Sequence, residues 1–174
     1  FPILWRKGEP VFTIGPDWPF FICMWTLLIC IGAAVYHYIA RVQALWIQNL
    51  TILITVWEAA IYLITSLLNP GIVSAQKADE EDIENFENNP HFCPTCKILR
   101  DDDTDHCEDC DVCIKGFDHH CPWTGTCIAK RNYRPYMHFI GSATFFLICA
   151  ILLCLMQIAI VCYRFATMKF SANG

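Results

Sequence analysis

The sequence predicts an α-helical, multi-pass membrane protein with a small cysteine-rich domain, built of short β-hairpins and loops, inserted between its second and third spans. Two observations carry that reading. Hydrophobic residues make up 55% of the 174 residues and charged ones only 17%, with the charges confined to particular segments, a membrane distribution rather than a globular one. Seven of the twelve cysteines and three of the six histidines crowd into residues 93–127, at the spacings used by thiolate and imidazole metal ligands.

Taken in order, residues 1–18 are mixed, with Arg6, Lys7, Trp5 and Trp18, and read as a short cytosolic or interfacial lead-in. Residues 19–40 are apolar, long enough to cross a bilayer as a helix, and too long to be a signal peptide. A second span covers 45–68, interrupted in polarity mainly by Glu58. The connection around Arg41 is so short that the two spans form a helical hairpin. Asn69-Pro70-Gly71 reads as a helix stop. Residues 69–90 then form a linker made acidic by Asp79-Glu80-Glu81-Asp82, Glu84 and Glu87, expected to be a solvated spacer. The cysteine-rich domain occupies 91–135, a third span 136–163, and a non-cytosolic loop 164–174. With no initial methionine and a mean hydropathy of +0.37, the sequence reads as a piece of a longer chain.

Counting Lys and Arg along this layout puts nine on one side (Arg6, Lys7, Lys77, Lys97, Arg100, Lys115, Lys130, Arg131, Arg134) and three on the other (Arg41, Arg164, Lys169). The positive-inside rule then turns the amino terminus and the cysteine-rich domain to the cytosol. Cytosolic thiols stay reduced, which favours metal ligation over disulfides. Cys23, Cys30, Cys149, Cys154 and Cys162 fall in the spans as small packing residues. Glu58 either lines a cavity or pairs with a neighbouring helix. Asn49-Leu50-Thr51 matches a glycosylation sequon too near a span to count. A net charge of −5 and a pI of 5.6 argue against nucleic acid as a partner.

Within the domain, Cys93, Cys96, His106 and Cys113 form C-x2-C-x9-H-x6-C, and a shift of fourteen residues reproduces it on Cys107, Cys110, His120 and Cys127. The expectation is two interleaved Cys3His zinc sites built from one repeated unit, each closed by four protein ligands and therefore structural. That assignment leaves His119 and Cys121 without a metal. With Asp118 beside them they have the parts of an activated nucleophile, a thiol near an imidazole oriented by a carboxylate. A spare cysteine in a purely structural zinc module is the other reading of the same residues.

At Asp118-His119-His120-Cys121 the chain resembles the DHHC family of protein S-acyltransferases (palmitoyltransferases). The resemblance covers all eight ligand positions, the tetrad, Pro122-Trp123, Asn132, and Asn69-Pro70-Gly71 in place of the family's Asp-Pro-Gly. It implies a two-step transfer of a long-chain acyl group from acyl-coenzyme A to Cys121, and then to a cysteine of a membrane-associated protein. His119 would be the base, Asp118 its orienting acid, and the two zinc ions structural. Trp123 suits headgroup depth, and Lys130, Arg131 and Arg134 either hold coenzyme A phosphates or anchor the helix end at anionic lipid. Localisation would be endomembrane (Golgi or ER) or plasma membrane. The chain departs from the family at Arg100-Asp101-Asp102-Asp103, where a basic, proline-rich run is usual, and at Thr126, where Asn or Gln is common. The family's fourth span and Thr-Thr-x-Glu motif do not appear. A catalytically silent, membrane-anchored zinc module that binds protein partners is the alternative from a different class.

Overall fold

The computed structural model describes residues 2–6, 9–73 and 89–172; most of the expected acidic linker, Asp79 to Glu87 included, lies outside the described residues. Among the described residues, three helices are long and apolar enough to cross a membrane. These are α1 (Trp18–Tyr38), α2 (Leu45–Leu67) and α3 (Tyr133–Ala172), with a short 3-10 turn (Ala40–Val42) between the first two. Four two-stranded antiparallel sheets accompany them among the described residues. The pairs are β1 (Pro2–Arg6) with β2 (Glu9–Thr13), β3 (Phe92–Cys93) with β4 (Ile98–Leu99), β5 (Thr104–Cys107) with β6 (Val112–Lys115), and β7 (Phe117–Cys121) with β8 (Thr126–Ala129).

Two of these elements differ from expectation. The lead-in forms the β1–β2 hairpin, for which the signal was two short apolar runs, Ile3-Leu4-Trp5 and Val11-Phe12, separated by a glycine-containing turn sequence. Helix α3 runs on to Ala172, through the region expected to be a loop from 164. Residues 164–172 contain neither proline nor glycine, so nothing in them stops a helix, and the Thr167 hydroxyl turns back to the Tyr163 and Arg164 carbonyls. At 40 residues α3 is about 60 Å long, roughly twice the hydrocarbon thickness of a bilayer.

The chain divides into two compact units. One contains Leu27–Ala59 and the chain from Ile140 onward. There Gly32 of α1 admits Thr55 of α2 so closely that a Cβ at Gly32 would lie 2.3 Å from the threonine methyl, the small-residue contact that lets membrane helices approach. Glu58 is buried in the same unit, with Ser142 of α3 beside it.

The other unit takes the N-terminal segment through Thr26 and Ala60–Phe139, and it holds every residue of the site. Its interior is small. Cys107, Ile114, Cys127 and Ala129 form one apolar cluster, and Cys93, Ile98 and Cys113 a second. Cores of this size fall short of what a domain needs to fold without a metal or another staple. Asn69 does more than end α2. Its side-chain oxygen accepts from the Gly71 and Ile72 amides at 3.0 and 2.9 Å, and its amide donates to the Pro10 carbonyl at 2.8 Å. Gly71–Val73 then adds to the edge of β6, with Lys115 N–H donating to Gly71 and Val73 N–H to Cys113, both at 2.9 Å. At the other end of the domain, fully buried Asn132 accepts from the Ala129 amide at 2.8 Å. It donates to the carbonyls of Cys127 at 2.9 Å and Thr65 at 3.3 Å. The Tyr62 hydroxyl donates to the Trp123 carbonyl, and its ring lies between Phe21 and Phe139, 5.8 and 5.0 Å away. Polar groups on one side of α2 thus tie the hairpins to the helix.

Candidate functional site

The fourteen-residue repeat is visible in the backbone as well as in the ligands. In β3–β4 the register pairs Cys93 with Ile98, in β5–β6 Cys107 with Val112, and in β7–β8 Cys121 with Thr126. Each turn carries a left-handed residue at the same step, Lys97 (φ 54°), Asp111 (φ 55°) and Gly125 (φ 72°). The module is therefore three hairpins. In the third, the same shift places Thr124, Arg134 and Gly141 where the first repeat has Cys96, His106 and Cys113, and none of these is a metal ligand. Cys121 occupies the position of Cys93 and Cys107 in a hairpin that carries no other ligand of the repeat. This third copy was legible in the sequence from the same arithmetic, but the C-x2-C pattern is broken at Thr124 and hides it.

The structure brings together Cys93, Cys96, His106 and Cys113, and separately Cys107, Cys110, His120 and Cys127, all ligand atoms of each set lying within 4.8 Å of one another. His106 Nδ1 stands 3.6, 3.4 and 3.8 Å from the sulfurs of Cys93, Cys96 and Cys113. His120 Nδ1 stands 3.7, 3.3 and 3.4 Å from those of Cys107, Cys110 and Cys127. A tetrahedral zinc with ordinary Zn–S and Zn–N bonds requires an S···N edge of about 3.6 Å, so both sets fit zinc. Their protonation also has the character of a ligand set. A hydrogen bond from Cys127 lowers the Cys110 thiol to about 6, while the same bond raises Cys127, and burial raises Cys113. Within the second set Cys110 and Cys127 are pushed in opposite directions, an opposition that a dication between them would remove. Burial opposes charging of His120, but a hydrogen bond to Asp17 and the nearby Cys110 more than offset it and raise its basicity.

Asp118, His119 and Cys121 share strand β7 with His120. Along a strand, side chains alternate, so His120 turns to the metal cluster while His119 and Cys121 turn the other way. The pairing with β8 slips by one residue between Phe117 and His119. Such a bulge re-aims side chains and allows neighbouring Asp118 and His119 to meet, Asp118 Oδ1 lying 3.2 Å from His119 Nδ1. Both are about half exposed, and the His119 and Tyr136 rings meet edge to face with centroids 5.7 Å apart. Cys121 itself is 7% exposed, its carbonyl accepting from the Thr124 and Gly125 amides at 3.1 and 3.0 Å and from the Thr124 hydroxyl at 3.1 Å. Trp123 is 60% exposed, edge-on to Phe20.

Of the expected cofactor contacts, Lys130 and Arg134 line an open groove of about 690 Å³ with Asp103, Phe117, Asp118 and Tyr133. Arg131 is not among its walls; its amide donates to the Pro70 carbonyl at 3.3 Å. The acidic run sits at the same place. Lys115 pairs with Asp101 at 3.0 Å and Asp103 at 3.4 Å, and Lys130 lies 4.0 Å from Asp103. Sequence reasoning missed Asp17, whose carboxylate meets His120 Nε2 at 2.9 Å; 103 residues separate the two, and no local pattern marks the pair.

Comparison with known proteins agrees with this arrangement. The model of the DHHC palmitoyltransferase family matches residues 86–173, half of the chain. Palmitoyltransferase ZDHHC18 of Mus musculus is 33% identical over 132 residues, 62% of this chain and 35% of the relative. Palmitoyltransferase ZDHHC9 of Bos taurus is 32% identical over 151 residues, 67% of this chain and 41% of the relative. Palmitoyltransferase ZDHHC18-B of Danio rerio reaches 56% over 54 residues, 31% of this chain and 14% of the relative. The chain spans less than half the length of each. On the match of that model, the ligand clusters and the tetrad in β7, the chain belongs to the DHHC palmitoyltransferase family.

Proposed function

We propose that the protein transfers a long-chain fatty acyl group, palmitoyl by the names of its relatives, from acyl-coenzyme A to Cys121 and then to a cysteine of a membrane-associated protein. The observation that carries this reading is the third hairpin, where Cys121 keeps a ligand position but has no metal to bind. It shares a strand face with His119, which Asp118 holds at 3.2 Å. His119 takes the thiol proton, and the Cys121 sulfur adds to the thioester carbonyl. A new bond joins Cys121 Sγ to the acyl carbon, the bond from that carbon to the coenzyme sulfur breaks, and the proton leaves with the coenzyme thiol. The second step repeats this with the acceptor cysteine as nucleophile and Cys121 as leaving group. Thioester exchange of this kind is nearly balanced.

Two zinc ions, one held by Cys93, Cys96, His106 and Cys113 and one by Cys107, Cys110, His120 and Cys127, supply structural cross-links and take no part in the chemistry. Lys130, Arg131 and Arg134 are the candidates for the coenzyme phosphates, with the groove beside Tyr133 as the approach. Trp123 lies at headgroup depth, and the acyl chain lies among the spans, where burial is worth about 0.8 kcal/mol per CH2. The charge count orients the cysteine-rich domain to the cytosol, on an endomembrane (Golgi or ER) or the plasma membrane.

The other reading, a silent membrane zinc module that binds partners, is favoured by one observation: Asp101 and Asp103 already occupy Lys115 and approach Lys130. Autoacylation separates the two. The full-length protein in membranes, given an alkyne-tagged palmitoyl-coenzyme A, should take a hydroxylamine-sensitive label that a zinc-loaded Cys121→Ser variant lacks. An unlabelled parent that retains both zinc ions would leave only the binding module.

A further inference from the structure

The first metal cluster is assembled from residues 93–113 alone, but the second reaches outside its own repeat. His120 is 8% exposed at its side chain, and with Nδ1 facing three sulfurs its remaining ring nitrogen meets Asp17 Oδ2 at 2.9 Å. The nearest counterpart in the first cluster, His106 Nε2 to Asp111 Oδ1, is 3.8 Å long, and that aspartate is 75% exposed. A carboxylate on the far nitrogen of a ligating histidine fixes the tautomer that offers its lone pair to the metal and orients the ring.

The backbone around Asp17 is fitted to the same place. A Cβ on Gly15 would fall 2.0 Å from the Gly125 carbonyl oxygen, and one on Gly125 would fall 3.0 Å from the Asp17 carbonyl oxygen. Residues 15–17 therefore lie directly on the turn that follows Cys121, backbone against backbone, at a distance only glycine permits. The Asp17 carbonyl also accepts from the Phe20 and Phe21 amides at 3.0 and 3.3 Å, where α1 begins. One residue joins the start of a membrane helix, a metal-ligating histidine and the turn next to the thiol.

We propose that Asp17 is a positioning residue for acyl transfer. It holds His120 as the Nδ1 ligand of the second zinc, and with Gly15 it clamps the N-terminal segment onto the turn that carries Cys121. This rests on the function proposed above only for its consequence at Cys121; the consequence for the metal stands by itself.

The test uses zinc-loaded, full-length protein in lipid nanodiscs and follows zinc release to a chromophoric chelator. Asp17→Ala should release one of two zinc ions about 10- to 100-fold faster, the loss usual when such a partner is removed, and the other at the parental rate. Asp17→Glu should recover part of the difference, and Asp102→Asn, an exposed acid removed as a charge control, should release both as the parent does. Cobalt-substituted Asp17→Asn, the variant that best preserves shape, should show altered ligand-field bands for one site only. Autoacylation of Cys121 should fall in step with loss of the second metal. Parental release of both zinc ions from Asp17→Ala would overturn the proposal, as would equal acceleration of both. A selective effect on the second zinc without any acylation of the parent would uphold the positioning of His120 and count against the acyltransferase reading instead.

Discussion

Asn132 offers the sharpest stability test, because three hydrogen bonds converge on one fully buried side chain between the last hairpin and the end of α2. In Asn132→Ala the Ala129 amide and the Cys127 carbonyl lose partners at 2.8 and 2.9 Å, and the Thr65 carbonyl one at 3.3 Å. Each bond contributes about 0.5–1.5 kcal/mol net, and a buried group left unpaired costs about 1–3 kcal/mol. Allowing the longer Thr65 contact little, the variant should lose about 3–5 kcal/mol, at the upper end for a single substitution. Limited proteolysis of the zinc-loaded protein measures this, since cleavage follows the population of the opened domain when opening is fast. A loss of 4 kcal/mol corresponds to roughly 10³-fold faster cutting between residues 91 and 132, using about 1.4 kcal/mol per factor of ten. Asn132→Asp keeps the acceptor and loses both donors, so it should also be destabilised, through a different pair of orphaned groups. Cleavage of Asn132→Ala within threefold of the parent would refute the idea that this side chain sews the domain to α2.

Two further outcomes follow from the same geometry. Stripping both metals should unfold β3 to β8 while leaving the helical circular dichroism largely intact, because the two cysteine-lined clusters are too small to persist alone; retention of backbone amide protection in β5 and β6 after chelation would contradict this. Asp103→Asn removes the acid 3.4 Å from Lys115 and 4.0 Å from Lys130, so KM for acyl-coenzyme A should fall severalfold at low ionic strength, with the gain shrinking as salt is added. An unchanged KM at every ionic strength would remove Lys130 from the coenzyme site.

What could be read from the sequence was whatever repeats or runs long. Three apolar stretches are sufficient to declare helices. The fourteen-residue shift from Cys93 to Cys107 picks out eight candidate ligands without any knowledge of the backbone, and the structure gathers them into two sets of four. Where the pattern is broken, reading stops early: Thr124 ends the C-x2-C series, so Cys121 reads as a cysteine left without a metal and not as the start of a third hairpin. Contacts between distant segments carry no periodicity at all. Asp17 and His120 meet across 103 residues, and Asn69 reads as a helix stop because its donor finds Pro10 only once the N-terminal hairpin has folded back. The end of α3 illustrates a third kind of failure, where a membrane-length estimate ended the span although no residue stops the helix before Ala172.

Intact mass spectrometry with peptide mapping tests most directly whether Cys121 is the acyl carrier. Full-length, zinc-loaded protein incubated briefly with palmitoyl-coenzyme A should gain one palmitoyl group, located on the peptide containing Cys121. The group should pass to a cysteine-containing acceptor peptide when the coenzyme is removed. Acylation confined to other cysteines, such as Cys23 or Cys162, or a Cys121 adduct that never transfers, would contradict it.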